Sequence, residues 1–325
     1  MANKQRELWI DNAKAIAIFL VVLGHMNSLN DTAKIFIYSF HLPLFMMITG
    51  YLTGGRKKKI NVPEFSGQTL FPLIKLYFFF SILAIPAWYI LEQMGADFIV
   101  MLAPLKGMLY GTHGADMLFI HNNDPLWYFP FLITSLMLYF ALAKFDRVIG
   151  YGTLGILCAI ALLYDGMRLP WSLDVAPFGA IFIMLGYEFK RAKDYIKSPI
   201  IWMVGLFILG AMIVYWNGST NLNRAEFGDI PILYPFAAVV LSVSLLLLCR
   251  YLPTTKLAQS LSMHTLVIFC THIYFVKFFK AIPMTDSDFI NQIIILMGAV
   301  IITAICLVGS IITMPYIQKY IMGKR

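Results

Sequence analysis

Residues 9–25 read WIDNAKAIAIFLVVLGH, and the reading of this stretch decides the fold. From Ala13 to Leu23 it is apolar except at Lys14, and Lys4 and Arg6 precede it. A basic start followed by a short apolar run has the outline of a secretory signal. Glu7 and Asp11 interrupt the basic part, however, and Gly24-His25-Met26 is not a small-residue cleavage site. The run is therefore expected to stay in the chain as a first membrane helix over 12–29.

The rest of the chain agrees with that reading. Of its 325 residues 60% are hydrophobic and only 13% are charged, where a soluble domain carries roughly a quarter charged. Too few polar side chains remain to cover a water-exposed surface, so lipid must be part of the solvent. A span needs roughly 20 apolar residues. Spans are expected near 12–29, 35–53, 70–92, 125–143, 149–164, 175–189, 199–216, 230–249, 259–277 and 289–313. The run 98–110 is too short, is split by Pro104, and reads as interfacial or re-entrant. The sequence thus predicts an all-α polytopic membrane protein of about ten transmembrane helices, with one membrane domain over 1–325 and no separate soluble domain.

Charge orients it. With the N- and C-termini cytoplasmic, 19 of the 25 Lys and Arg residues fall inside and 6 outside, while 11 of the 17 acids fall outside. This is the asymmetry that orients membrane proteins. The net charge of +8 is accounted for by topology, and no nucleic-acid partner is needed. Cys158, Cys249, Cys270 and Cys306 sit in apolar runs with no CxxC pair, and read as buried small hydrophobes. No internal repeat is visible, which weakens a transporter reading.

Ionisable groups inside spans mark function by default. Lys14 and His25 are 11 residues apart, so they share a face of the first helix at a separation of roughly 16 Å. Asp11 is expected to cap that helix and stands one turn from Lys14. His41 and His272 fall at a similar outer depth on the second and ninth helices. Three imidazoles from three helices would line one outward-opening polar cavity. As a bland alternative, each is an interhelical hydrogen bonder, and Lys14 snorkels to the interface. The histidines lack the local pairs of a zinc site, so no metal is expected. Arg56, Lys57, Lys58 and Lys59 form a basic loop that reads as an orientation signal or as a dock for donor phosphates, which Lys75 would extend. The outer segment 105–124 is polar, with His113, Asp116 and His121, and suits a sugar-facing lid or a solvated loop. Trp127 and Tyr128 in PLWYFPFL read first as an aromatic belt and second as a sugar-stacking pair. Glu188 and Arg191 read as an interfacial helix end.

The blocks WIDNAKAIAIFLVVLGH, FHLPLFMMITGYL, PLWYFPFL and SLSMHTLVIFCTH, in this order, resemble the acyltransferase-3 superfamily, in particular its fucose 4-O-acetylase-like branch. The resemblance implies a ten-helix enzyme of the bacterial plasma (inner) membrane. Its donor would be acetyl-coenzyme A taken from the cytoplasmic side, with no cofactor held permanently. Its acceptor would be a hydroxyl of an extracytoplasmic or lipid-linked sugar or polysaccharide. The family's basic residue followed eleven positions later by histidine maps onto Lys14 and His25, with Lys where many members have Arg. The family's arginine pair before the third helix is missing from GQTLFPLIKLY, which leaves Lys75 and shifts the expected phosphate contacts towards Arg56–Lys59. Under this resemblance His25 is the general base, because imidazole titrates near neutral pH. No carboxylate that would orient it is evident. The competing reading is a transporter or flippase using the histidines as a relay; a third is a non-catalytic scaffold. Nothing in the sequence sets an oligomeric state.

Overall fold

The computed structural model describes residues 7–54, 62–92, 103–112 and 125–323. Among these residues ten helices have fifteen residues or more: α1 (Trp9–His25), α2 (Asp31–Thr53), α3 (Phe71–Glu92), α4 (Tyr128–Leu142), α5 (Arg147–Leu163), α6 (Ala176–Ala192), α7 (Pro199–Asn217), α8 (Leu233–Cys249), α9 (Lys256–Phe279) and α10 (Asp288–Tyr316). Each overlaps one of the expected apolar stretches. The described residues hold no strand beyond one isolated bridge between Asn221 and Glu226. Six helical stretches are long and apolar enough to cross a bilayer: Asp31–Thr53, Pro63–Pro86, Pro170–Ala192, Pro199–Asn217, Lys256–Phe279 and Asp288–Ile321. α4, α5 and α8 are apolar but shorter, at 15, 17 and 17 residues. This is the pattern of an all-helical, multi-pass membrane protein.

Local chemistry explains the ends that differ from expectation. α1 starts at Trp9, with Leu8 in the capping position and no side-chain cap. Asp11 therefore lies inside the first turn and is not the cap. Met26 turns to an extended ψ of 131° and ends the helix at His25. α2 begins early because Asn30 Oδ1 accepts from the amides of Thr32 (3.0 Å) and Ala33 (3.4 Å), as an N-cap does. Of the run 98–110, Ala103–Tyr110 forms a short helix that contains Pro104; residues 98–102 lie outside the described residues.

The chain divides into two compact units, each built from discontinuous stretches. The first comprises Met1–Ile48, Arg191–Thr220 and Gly228–Met314. In it α1 lies along α9 and against α8, and α7 pairs with α8. The buried stripe of α1 includes Ala13, Ala17, Ile18, Val21 and Val22. Small side chains in that stripe let helix backbones approach in the absence of any hydrophobic drive between them in lipid. Only 11% of the apolar window of α7 is buried, so most of its apolar surface is left exposed.

The second unit comprises Thr49–Lys190, Asn221–Phe227 and Pro315–Arg325. Gly50 of α2 and Gly54 just past its end meet α6 here. A Cβ on Gly50 would collide with the backbone carbonyl of Ile183, and one on Gly54 with the Tyr187 ring. This small-xxx-small spacing gives backbone-to-backbone contact. Lys190 Nζ donates to Tyr51 O (2.7 Å) and ties the same two helices. The segment 168–174 is stitched down by many bonds. Arg168 pairs with Asp174 and donates to Asn223 O, Tyr110 donates to Arg168 O at 2.6 Å, and Thr112 donates to Leu169 O at 2.7 Å. These bonds hold Trp171 and Ser172 at φ 55° and 54°, the left-handed region that costs a non-glycine residue energy.

Candidate active site

Both ends of α1 carry the polar groups singled out in the sequence. At its start Asp11 is 4% exposed and accepts from Ser262 Oγ of α9 at 2.6 Å. Asn12 beside it donates through Nδ2 to Leu252 O (2.9 Å) and Cys249 O (3.4 Å). Lys14 follows on the same helix, half-buried and engaged. The helix runs unbroken to His25, so the two residues keep the separation of roughly 16 Å set by the helical rise.

At the other end the first unit brings three histidines together. The rings of His25 and His272 are edge to face, with centroids 5.0 Å apart. Tyr38 lies between His25 and His41, at 6.2 Å from the first and 5.2 Å from the second. Close contact of α1 and α2 makes this possible. A Cβ on Gly24 would stand 3.2 Å from both Ile37 Cγ2 and Tyr38 Cε2. Phe269 flanks His272 at 6.1 Å, and the Lys34 ammonium sits over the Tyr38 ring at 5.9 Å.

Each of the three imidazoles is oriented by its own helix. His25 Nδ1 lies 2.8 Å from Val21 O, and His41 Nδ1 lies 2.7 Å from Ile37 O. His272 Nδ1 lies 2.9 Å from Phe269 O and 3.2 Å from Ile268 O. A carbonyl oxygen can only accept, so Nδ1 carries the hydrogen in all three rings. In the neutral ring this leaves Nε2 as a lone-pair acceptor, the form a general base requires. The Val21 carbonyl thus does for His25 the orienting that a carboxylate does elsewhere. Sequence reading missed it because a backbone acceptor four residues back has no residue-type signature. Tyr38 was missed too, although its spacing of three from His41 places both on one helix face. His264 was quoted only within a block; its Nδ1 lies 2.8 Å from Ser310 Oγ, joining α9 to α10.

The other expected site residues belong to the second unit or lie outside the described residues. Trp127 and Tyr128 open α4 in the second unit and are 4% and 6% exposed. They are covered by protein, with Trp127 5.6 Å from the Phe131 ring, and they do not form a lipid-facing belt. Lys75 is exposed on α3. Arg56, Lys57, Lys58 and Lys59 lie outside the described residues, as do His113, Asp116 and His121. Glu188 pairs with Arg147 at 3.3 Å and links α6 to α5. Among the described residues no group of three or more His, Cys, Asp or Glu side chains is arranged to hold a metal ion.

Comparison with known proteins adds to this geometry. A family model described as an acyltransferase domain, acyltransferase 3, matches residues 7–314, which include both ends of α1 and all four sequence blocks. The chain is similar to the nodulation protein NolL of Sinorhizobium fredii, with 27% identity over 206 residues. That alignment covers 58% of this chain and 50% of NolL, so the chain spans about half the length of this curated relative. No solved structure matches.

Proposed function

This chain belongs to the acyltransferase-3 family, and from that premise we propose that it moves an acetyl group from acetyl-coenzyme A to a hydroxyl of an extracytoplasmic or lipid-linked sugar. It is a membrane acyltransferase; donor, acceptor and residue roles are the proposal. In it, residues 1–325 form one integral-membrane domain of ten spans in a bacterial inner membrane, with both termini cytoplasmic. The observation that carries the mechanism is the bond between His25 Nδ1 and Val21 O, which presets Nε2 as the acceptor.

The acceptor hydroxyl gives its proton to His25 Nε2 as its oxygen attacks the thioester carbonyl carbon. The tetrahedral intermediate collapses, the C–S bond breaks, and the thiolate of coenzyme A leaves and takes up the proton. Lys14, Arg56–Lys59 and Lys75 hold the donor's phosphates. The pantetheine arm rises from Lys14 towards His25 over roughly 16 Å of helix. Asp11 acts on Lys14 from one turn away and is itself fixed by Ser262. His41 and His272 contact the acceptor.

The test is label transfer from acetyl-coenzyme A to a glycan acceptor by the purified protein. Transfer that is lost in His25→Ala supports the reading. Solute counterflow without transfer by the wild type, or full activity in His25→Ala, overturns it. Mass spectrometry of surface glycans from a deletion strain then identifies the acceptor.

A further inference from the structure

His272 is fully buried, and its Nε2 has no hydrogen-bond partner among the described residues. Its Nδ1 proton is already committed to the carbonyls of Ile268 and Phe269, so the neutral ring cannot turn Nε2 into a donor without abandoning both. A buried acceptor left without a donor is costly. The neighbours do not supply one. Phe269 is apolar, and His25, 5.0 Å away, has its own Nδ1 proton committed to Val21 O. The cluster therefore sets beside the His25 ring an imidazole whose buried Nε2 meets no donor among the described residues.

We propose that this pair reads two adjacent hydroxyls, so that the acceptor is a vicinal diol. One hydroxyl gives its proton to His25 and is acylated. The neighbouring one donates a hydrogen bond to His272 Nε2 and is left unmodified. Adjacent gauche hydroxyls of a sugar ring lie about one hydrogen-bond length apart, and the two rings that would receive them have centroids 5.0 Å apart. This rests on the acetyl-transfer reading and deepens it: His272 becomes a specificity-determining residue for the substrate, with no part in the bond-making step.

The chemistry sets the test. Methylating the neighbouring hydroxyl keeps its oxygen but removes the donor, and the deoxy analogue removes both. The probes are methyl glycosides of fucose, rhamnose, galactose and glucose with labelled acetyl-coenzyme A. They are followed by the monodeoxy and mono-O-methyl analogues of whichever is the best acceptor. With wild-type protein, loss of the donor next to the acylated position is expected to lower kcat/KM by about 5- to 100-fold. In His272→Phe the parent glycoside and its analogues should converge, because the unsatisfied acceptor is gone. His272→Gln, which keeps an acceptor oxygen, should restore part of the difference. Equal kcat/KM for parent and analogues in the wild type would overturn the inference and leave the acetyl-transfer reading standing; this arm needs no variant to fold. A difference that persists unchanged in His272→Phe also overturns it. Acetylation by the wild type of simple alcohols but of no diol overturns it as well, and no transfer to any hydroxyl overturns the acetyl-transfer reading with it.

Discussion

At the start of α1, Asp11 and Asn12 reach across to α9 and to the α8–α9 connection, and their polar atoms are met by other parts of the fold. About 21 Å along the same helix, the Nδ1 of His25 is bonded to its own helix backbone, as are those of His41 and His272. The first arrangement fixes the position of neighbouring helices. The second fixes the ring of each residue through Nδ1 and makes Nε2 of the neutral ring an acceptor. In the proposed reaction the first arrangement serves assembly and the second serves chemistry. Both kinds occur on one seventeen-residue element.

The largest effect should come from the chemical end. His25→Ala is expected to lower the rate of label transfer by about 10²–10⁴-fold, while size-exclusion behaviour in detergent stays that of the wild type. At the assembly end, Asp11→Ala leaves Ser262 without its partner inside the bundle. It should lower stability by about 1–3 kcal/mol, seen as a drop in detergent Tm alongside its effect on turnover. Ser262→Ala removes the other partner but leaves Asp11 its remaining interactions. About 0.5–1.5 kcal/mol is expected there, with a fall in Tm that outweighs any fall in kcat at a permissive temperature. The smallest effect should come from Gly24→Ala. The added methyl presses Ile37 and Tyr38 by a few tenths of an ångström. Stability should fall by under about 1 kcal/mol and kcat by less than tenfold. If Asp11→Ala and His25→Ala instead gave the same mixture of lost Tm and lost turnover, the distinction between the two ends would not hold.

Much of the fold was legible because apolar runs broken by charged or glycine-proline connections are an almost one-dimensional signal. The run 199–216 was recovered as Pro199–Asn217 for that reason. Ends were less legible where backbone geometry decides them, as at Asn30 and Met26. In the site, the face shared by Lys14 and His25 followed from helical periodicity alone. The meeting of His25 with His272 did not, because residues 247 positions apart are joined only by the packing of α1 on α9. The burial of Trp127 and Tyr128 was equally out of reach, since an aromatic pair at a helix start reads the same whether lipid or protein covers it.

The glycines around the end of α2 have a consequence for descent. Gly50 touches backbone, which no neighbour's mutation can move aside, so homologous chains should keep glycine at that position. Gly54 touches the Tyr187 ring, which substitution can shorten. An alanine there should appear in those lineages that also carry a smaller residue at 187, and an alignment deep enough to show paired changes would reveal the contact without any coordinates.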